Sequence, residues 1–158
     1  MTAMKTAVHP TCFRSAAAGA LALTMMVGCA AQQAALPASA DTQVAALACA
    51  VPSNCVNSLD SSGLGPLRFV GPPAQAIAAL RTALAEFPEA NIVRADALSM
   101  EVVFTTPVGF KDLVDFRIDA QAQRIDYRSR SSFGLYDFGK NRSRMSAFSS
   151  RFEQITQR

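Results

Sequence analysis

The chain is nearly devoid of histidine: His9 is the only one among 158 residues, and it falls in a segment that reads as removable. Without it, neither a Ser-His-Asp nor a Cys-His nucleophile system can be assembled. The commonest ligand of catalytic zinc is also missing, so no metal site is expected. No glycine-rich loop of the phosphate-binding or dinucleotide-binding kind occurs, and no cofactor is expected. Lysine is scarce: beyond Lys5 there are only Lys111 and Lys140, and nothing supports a Ser-Lys dyad. An enzyme built from this chain would work with carboxylates, tyrosine or arginine. The sequence also lacks an apolar run of about 20 residues, the length a permanent membrane helix needs.

What is present begins with an address. Lys5 and Arg14 form a basic start, and residues 15–27 are apolar or small. A run of this length fits the core of a secretory signal. Gly28 then stands directly before Cys29. Hydrophobic run, small residue and cysteine together resemble a bacterial lipobox, with Met26 where leucine is more usual. This implies a lipoprotein signal peptide over 1–28 and acylation of Cys29, with the membrane as partner. The other reading is an ordinary signal cleaved after Ala38-Ser39-Ala40. Two or more acyl chains anchor stably where one does not. The expected location is therefore the cell envelope, on the periplasmic face. Ala30 after the cysteine favours the outer membrane if the host has two.

Cys12 leaves with the signal and Cys29 takes lipid, so Cys49 and Cys55 remain. Outside the cytoplasm such a pair is expected as a disulfide. Its small loop around Pro52 gives a modest stabilisation, about 2 kcal/mol. A redox-active pair is the alternative, but five residues lie between the cysteines and nothing basic flanks them. Removing Lys5 and Arg14 leaves 13 basic residues against 12 acidic ones, so the net charge of +3 falls to about +1. This near-neutrality and the export signal argue against nucleic acid as a partner. From Ala122 to Arg158, eight basic residues face three acidic ones. Such a cationic quarter suits an anionic ligand or head groups, or is a solvated face.

Residues 29–47 are rich in Ala, Gln, Ser and Thr and read as a flexible tether, spanning roughly 20 to 25 Å as a coil. Residues 48–158 read as one domain. Its first part is broken by Pro52, Gly63, Gly65, Pro66, Gly71, Pro72 and Pro73, with a short strand around Leu67, Phe69 and Val70. Ile77, Leu80, Leu84 and Phe87 recur at helical spacing. Pro72 and Pro73 suit the start of that helix, and Pro88 stops it. Strands follow: Asn91 to Arg94; Leu98, Met100, Val102 and Phe104 alternating with polar neighbours; then Val114, Phe116 and Ile118. Asp119 to Gln123 predicts a hairpin turn. From Arg124 to Arg130, Ile125 and Tyr127 point inward and Arg124, Asp126, Arg128 and Arg130 outward. Met145, Phe148, Phe152 and Ile155 line a last helix. The expected fold is α+β: a small antiparallel sheet of about four strands with two main helices on one face.

One stretch is dense in chemistry. Residues 127–144 read Tyr-Arg-Ser-Arg-Ser-Ser-Phe-Gly-Leu-Tyr-Asp-Phe-Gly-Lys-Asn-Arg-Ser-Arg. A polar strand end runs through a glycine-bounded loop into the last helix. Loops carry function more often than strands. Gly134 and Gly139 allow positive φ or close backbone approach, and Asp137 can cap the helix or bind turn amides.

This stretch resembles the family called domain of unknown function 1499, with a pattern near R-S-x-S-R-x-G-x-x-D-x-G-x-N-R-x-R. Arg128, Ser129, Ser131, Gly134, Asp137, Gly139, Asn141, Arg142 and Arg144 match it. Upstream, Cys49, Asn54, Cys55 and Val56 match the family's cysteine loop, with Ser58 after. Phe110 and Asp112 match a Phe-x-Asp-Asp segment. The departures are Ser132 in place of arginine and Leu113 in place of the second aspartate; each removes a charge, as the loss of an opposite-sign pair would. The resemblance covers about residues 47–155 and implies no reaction.

Three readings compete. Arg128, Arg130, Arg142 and Asn141 could gather around an anion such as phosphate, a carboxylated sugar or a lipid head group, since arginine forks suit such ligands. Alternatively the same residues, with Ser129, Arg144 and Asp112, form the internal network of a structural or interaction domain whose envelope protein partner is unknown. Asp112 and Asp115 would then pair with Arg128 or Arg142, and Asp137 would fix the loop. The third reading is a carboxylate-based enzyme using Asp112, Asp115, Asp137 or Tyr136.

Overall fold

Hydrophobic alternation drives the central hairpins. In the computed structural model, which describes residues 46–59 and 64–157, β5 (Lys111–Asp119) and β6 (Arg124–Ser131) pair antiparallel. β5 buries Asp112, Val114, Phe116 and Ile118 on one face; β6 buries Ile125, Tyr127 and Ser129. The hairpin predicted between them is closed by Asp119, whose Oδ1 accepts the amides of Gln121 and Ala122. β4 (Ser99–Thr105) adds Met100, Val102 and Phe104 to the same face. Leu98, expected in that row, precedes the strand and is exposed.

The sheet has six strands, two more than the number expected. β3 (Ala90–Ala95) forms one edge against β4, with a register shift between Ile92 and Arg94. The other edge is shared. β1 (Cys55–Asn57) pairs with the C-terminal half of β6 and β2 (Leu67–Arg68) with its start. Both are too short to show a period, so β1 left no alternation to read.

Two helices cover the apolar face. α1 (Pro73–Leu84) buries Ala76, Leu80, Ala83 and Leu84. It ends before Pro88, and Phe87 packs against the core from the turn that follows. α2 (Lys140–Thr156) buries Met145, Phe148 and Phe152 in one stripe, as residues three and four apart share a helix face. Phe148 lies within ring contact of Phe87, Phe116 and Phe152. The α+β arrangement of an antiparallel sheet with helices on one face is thus observed.

Cys49 and Cys55 form a disulfide. It closes a loop that holds a single turn of 3-10 helix, Pro52–Asn54. The expected signal segment, Cys29 and the tether as far as residue 45 lie outside the described residues; Leu47, the tether's last position, is fully buried.

Candidate functional site

At one end of the sheet the inner face turns from apolar to polar. Asp112 continues the buried row of Val114 and Phe116 and stands opposite Phe104 on β4 and Ser131 on β6. Ser129 extends the row of Ile125 and Tyr127 and is fully buried. Above them sits the first turn of α2. Asn141 and Arg144 are three residues apart, so they share the helix face that carries Met145 and Phe148 inward. Arg142 is rotated off that face and is exposed.

The polar groups close on one another. Arg144 Nη2 donates to Asp112 Oδ2 at 2.5 Å, and its Nη1 donates to Asn141 Oδ1 at 3.1 Å. The guanidinium carbon lies 4.7 Å from the Phe104 ring centroid, a cation–π contact. Ser129 Oγ donates to Asn141 Oδ1 at 2.6 Å. The Asn141 amide nitrogen donates to Asp137 Oδ2, Ser131 Oγ and the Asn54 carbonyl. Asn141 thereby ties together β6, α2, the loop before α2 and the disulfide segment.

The loop 132–139 is held at several points. Asp137 Oδ1 accepts the Gly139 amide at 3.0 Å and its Oδ2 accepts the Asn141 amide at 2.8 Å. It therefore caps α2 from two residues before the N-cap, Gly139. Gly134 and Gly139 adopt positive φ, +85° and +75°, the first of the two uses that the sequence left open to them. The Asn54 side chain donates to the Gly134 carbonyl, Ser53 Oγ donates to the Leu135 carbonyl, and the Asp137 amide reaches Ser53 O. The cysteine loop and the glycine loop, far apart in the chain, are one unit.

The residues that the binding reading gathers do not all converge: Arg128 and Arg130 line one hollow on the outer face of the sheet, and Asn141 is on the helix side. Arg128 is on the outer face of the sheet, where its Nη2 meets Asp115 Oδ2 at 2.7 Å and its Nη1 donates to the Ala48 carbonyl. Arg130 is also on that face. Asn141 and Arg144 are on the helix side, so the sheet separates the two groups. Of the pairings the network reading allowed, Asp115 with Arg128 is observed; Asp112 is paired with Arg144, because strand alternation turns Asp112 inward and helical spacing turns Arg142 outward. Asp126, expected to face solvent, is buried: Ser58 Oγ donates to it at 3.0 Å and Arg124 pairs with it. Leu113 and Ser132 lie outward near each other, Leu113 opposite Arg130 and Ser132 bonded to Lys111.

The three carboxylates considered for catalysis each have partners: Asp112 with Arg144, Asp115 with Arg128, Asp137 with backbone amides. Among the described residues no group of three or more His, Cys, Asp or Glu side chains gathers as a metal would require.

Sequence reasoning passed over the surface of the loop itself. Phe133, Leu135, Tyr136 and Phe138 are 78, 75, 63 and 88 % exposed. Four large nonpolar residues between and beside two glycines, with neither strand nor helix period, were the available signal. Such a run cannot bury one face, so its side chains point outward.

The model of the family described as Protein of unknown function (DUF1499) matches residues 5–152. No curated protein and no solved structure gives a significant match.

Proposed function

The chain belongs to the DUF1499 family, and from that premise we propose that it is a lipid-anchored envelope protein whose domain is a non-catalytic interaction module. Arg144, with Asp112, Asn141 and Ser129, is its internal frame. The observation that carries this reading is the closed network of Arg144, Asp112, Asn141 and Ser129, all buried. A guanidinium already paired inside the fold has no fork left for an external anion. The frame instead holds the 132–139 loop at the surface, where interaction would occur.

Anchoring would come through acylated Cys29, on the periplasmic face of the envelope. Fractionation tests it. After high-salt washing, which removes charge-driven binding, the parent chain stays with membranes and a Cys29→Ser chain moves to the soluble fraction. A Cys29→Ser chain that stays with membranes as strongly as the parent, after high-salt washing, ends the anchoring claim.

A second reading has one specific support. Arg130 Nε is buried without a hydrogen-bonding partner among the described residues, and Arg130 lines a hollow with Arg128, Asn54 and Ser132. An anion could be held there. A saturable thermal shift with phosphate or a carboxylated sugar, abolished by Arg130→Ala, would favour binding. The frame reading expects no shift.

A further inference from the structure

The least protected part of the described surface is nonpolar and lies at one end of the sheet. The β4–β5 turn presents Val108 and Phe110; the loop before α2 presents Phe133, Leu135, Tyr136 and Phe138. The two loops meet. Phe110 stacks on Phe133 with centroids 6.5 Å apart, and Tyr136 meets Phe138 edge-on at 4.9 Å. A shallow hollow of about 310 Å³ runs among these four rings. Contiguous apolar surface of this kind marks a contact site on soluble domains.

The patch is held open and does not collapse. Ser53, Asn54 and Asp137 fix the loop backbone from below. Phe138 has φ +55°, a left-handed conformation that a bulky side chain resists. Strain of this sort persists where the surrounding structure imposes it. Here it accompanies a ring turned almost wholly to solvent.

Charge and chain path indicate what covers the patch. Lys111 and Lys140 line it and are exposed. Of the acids at this end, Asp112 and Asp137 are engaged internally, and Glu89 is exposed. The segment that leads back toward Cys29 enters the domain here: the disulfide loop bonds directly to the 132–139 loop. Ala48 and Cys49 line one hollow with Tyr136, Asp137 and Gly139, so a chain anchored at Cys29 would be tied to the domain beside this end.

We propose that this end of the domain docks onto an anionic lipid surface. The rings of Phe110, Phe133, Tyr136 and Phe138 enter the head-group boundary and Lys111 and Lys140 meet the phosphates. Aromatic side chains favour that boundary, and basic residues near an anionic leaflet add attraction. The proposal rests on the anchored reading above for its orientation argument.

The sequence contains no tryptophan, so a Phe138→Trp chain carries a single reporter. Val70→Trp is the control: Val70 is exposed beside β2, which pairs with the start of β6 at the opposite end of the sheet. The full acylated chains are reconstituted on phosphatidylglycerol-rich vesicles with brominated acyl chains. The reporter at 138 is expected to shift to the blue and lose intensity, and the reporter at 70 to do neither. In a second arm, the unacylated Cys29→Ser chain is sedimented with anionic and with phosphatidylcholine vesicles. Binding is expected to the anionic ones alone and to be lost in Cys29→Ser/Phe133→Ser/Phe138→Ser.

Anchored chains whose reporter at 138 remains water-like would overturn docking while leaving anchoring intact. Equal quenching at 70 and 138 would overturn it too. A lipid-free blue shift at 138 that grows with protein concentration would assign the patch to a second copy. If acylated and Cys29→Ser chains bind anionic vesicles alike through the rings, docking stands and anchoring falls.

Discussion

Arg144 and Asp112 meet at 2.5 Å with side chains only 4 and 5 % exposed, although 32 positions separate them in the chain. Burying two charges is costly, and the cost is offset only where further polar groups complete both partners. Here Asn141 accepts from the guanidinium and Phe104 lies beneath it. Removing one partner strands the other. Asp112→Ala is expected to lose about 3 to 5 kcal/mol in urea unfolding. The Asp112→Leu/Arg144→Met double variant should lose less than either single replacement. A double variant that loses the sum of both would show that the two residues act independently.

Asn141 is used as both donor and acceptor. Its oxygen receives Ser129 and Arg144, and its nitrogen donates to Asp137, Ser131 and the Asn54 carbonyl. Asn141→Asp keeps the shape but sets an oxygen against two obligate acceptors, the Asp137 carboxylate and the Asn54 carbonyl. It should cost about 3 kcal/mol, read as a lower urea midpoint at an unchanged slope. Tolerance of aspartate would mean that the side chain does not bind in this orientation.

The arginines of the motif should rank by burial. Arg128 pairs with Asp115 at partial exposure, 20 and 14 % for the two side chains, and its loss is expected to cost about 1 kcal/mol after solvent screening. Arg142 is exposed, and Arg142→Ala should stay within about 0.5 kcal/mol. Arg144→Ala should be the most damaging. Thermal melts of the three variants test the order, and a reversal of Arg142 and Arg144 would refute it.

Phe138 trades stability for an exposed ring. Asparagine tolerates left-handed backbone far better than phenylalanine, and the Phe138 side chain packs little of its surface. Phe138→Asn is expected to raise stability by about 1 kcal/mol while weakening binding to anionic vesicles. A destabilised variant would mean that the Tyr136–Phe138 contact outweighs the backbone strain.

The disulfide should act on the neighbouring loop as well as on the whole fold. Cys49→Ala/Cys55→Ala is expected to lose about 2 kcal/mol. Because Ser53 and Asn54, inside the bridged segment, hold the Gly134 and Leu135 carbonyls, amide exchange across 134–137 should accelerate by more than the global loss implies. Uniform acceleration over the domain would mean that the bridge does not brace this loop.

Much of the scaffold could be read from the chain because its period is local. Val114, Phe116 and Ile118 alternate, and Met145, Phe148 and Phe152 recur at helical spacing. Both patterns depend only on backbone geometry within a few residues. The same local logic marked Gly134 and Gly139 as positions open to positive φ. It failed where an element was too short to show a period, as in β1, and where a polar residue ended an apolar row. Asp112 reads as a strand boundary, yet it is the first buried position of β5. Asp126 reads as solvent-facing, yet the segment after β1 covers it with Ser58.

The residue pattern alone settled the antiparallel sheet, its helix-covered face, and the density of polar groups between 127 and 144, because periodicity and glycine-bounded loops are properties of neighbouring residues. Only the tertiary structure decided which arginine pairs with which aspartate. It also decided that the cysteine loop braces the loop before α2, and that the four large nonpolar residues there face solvent. Those outcomes depend on the register between strands and on how the first turn of α2 sits over the sheet end. Such relations join positions tens of residues apart, and no local period encodes them.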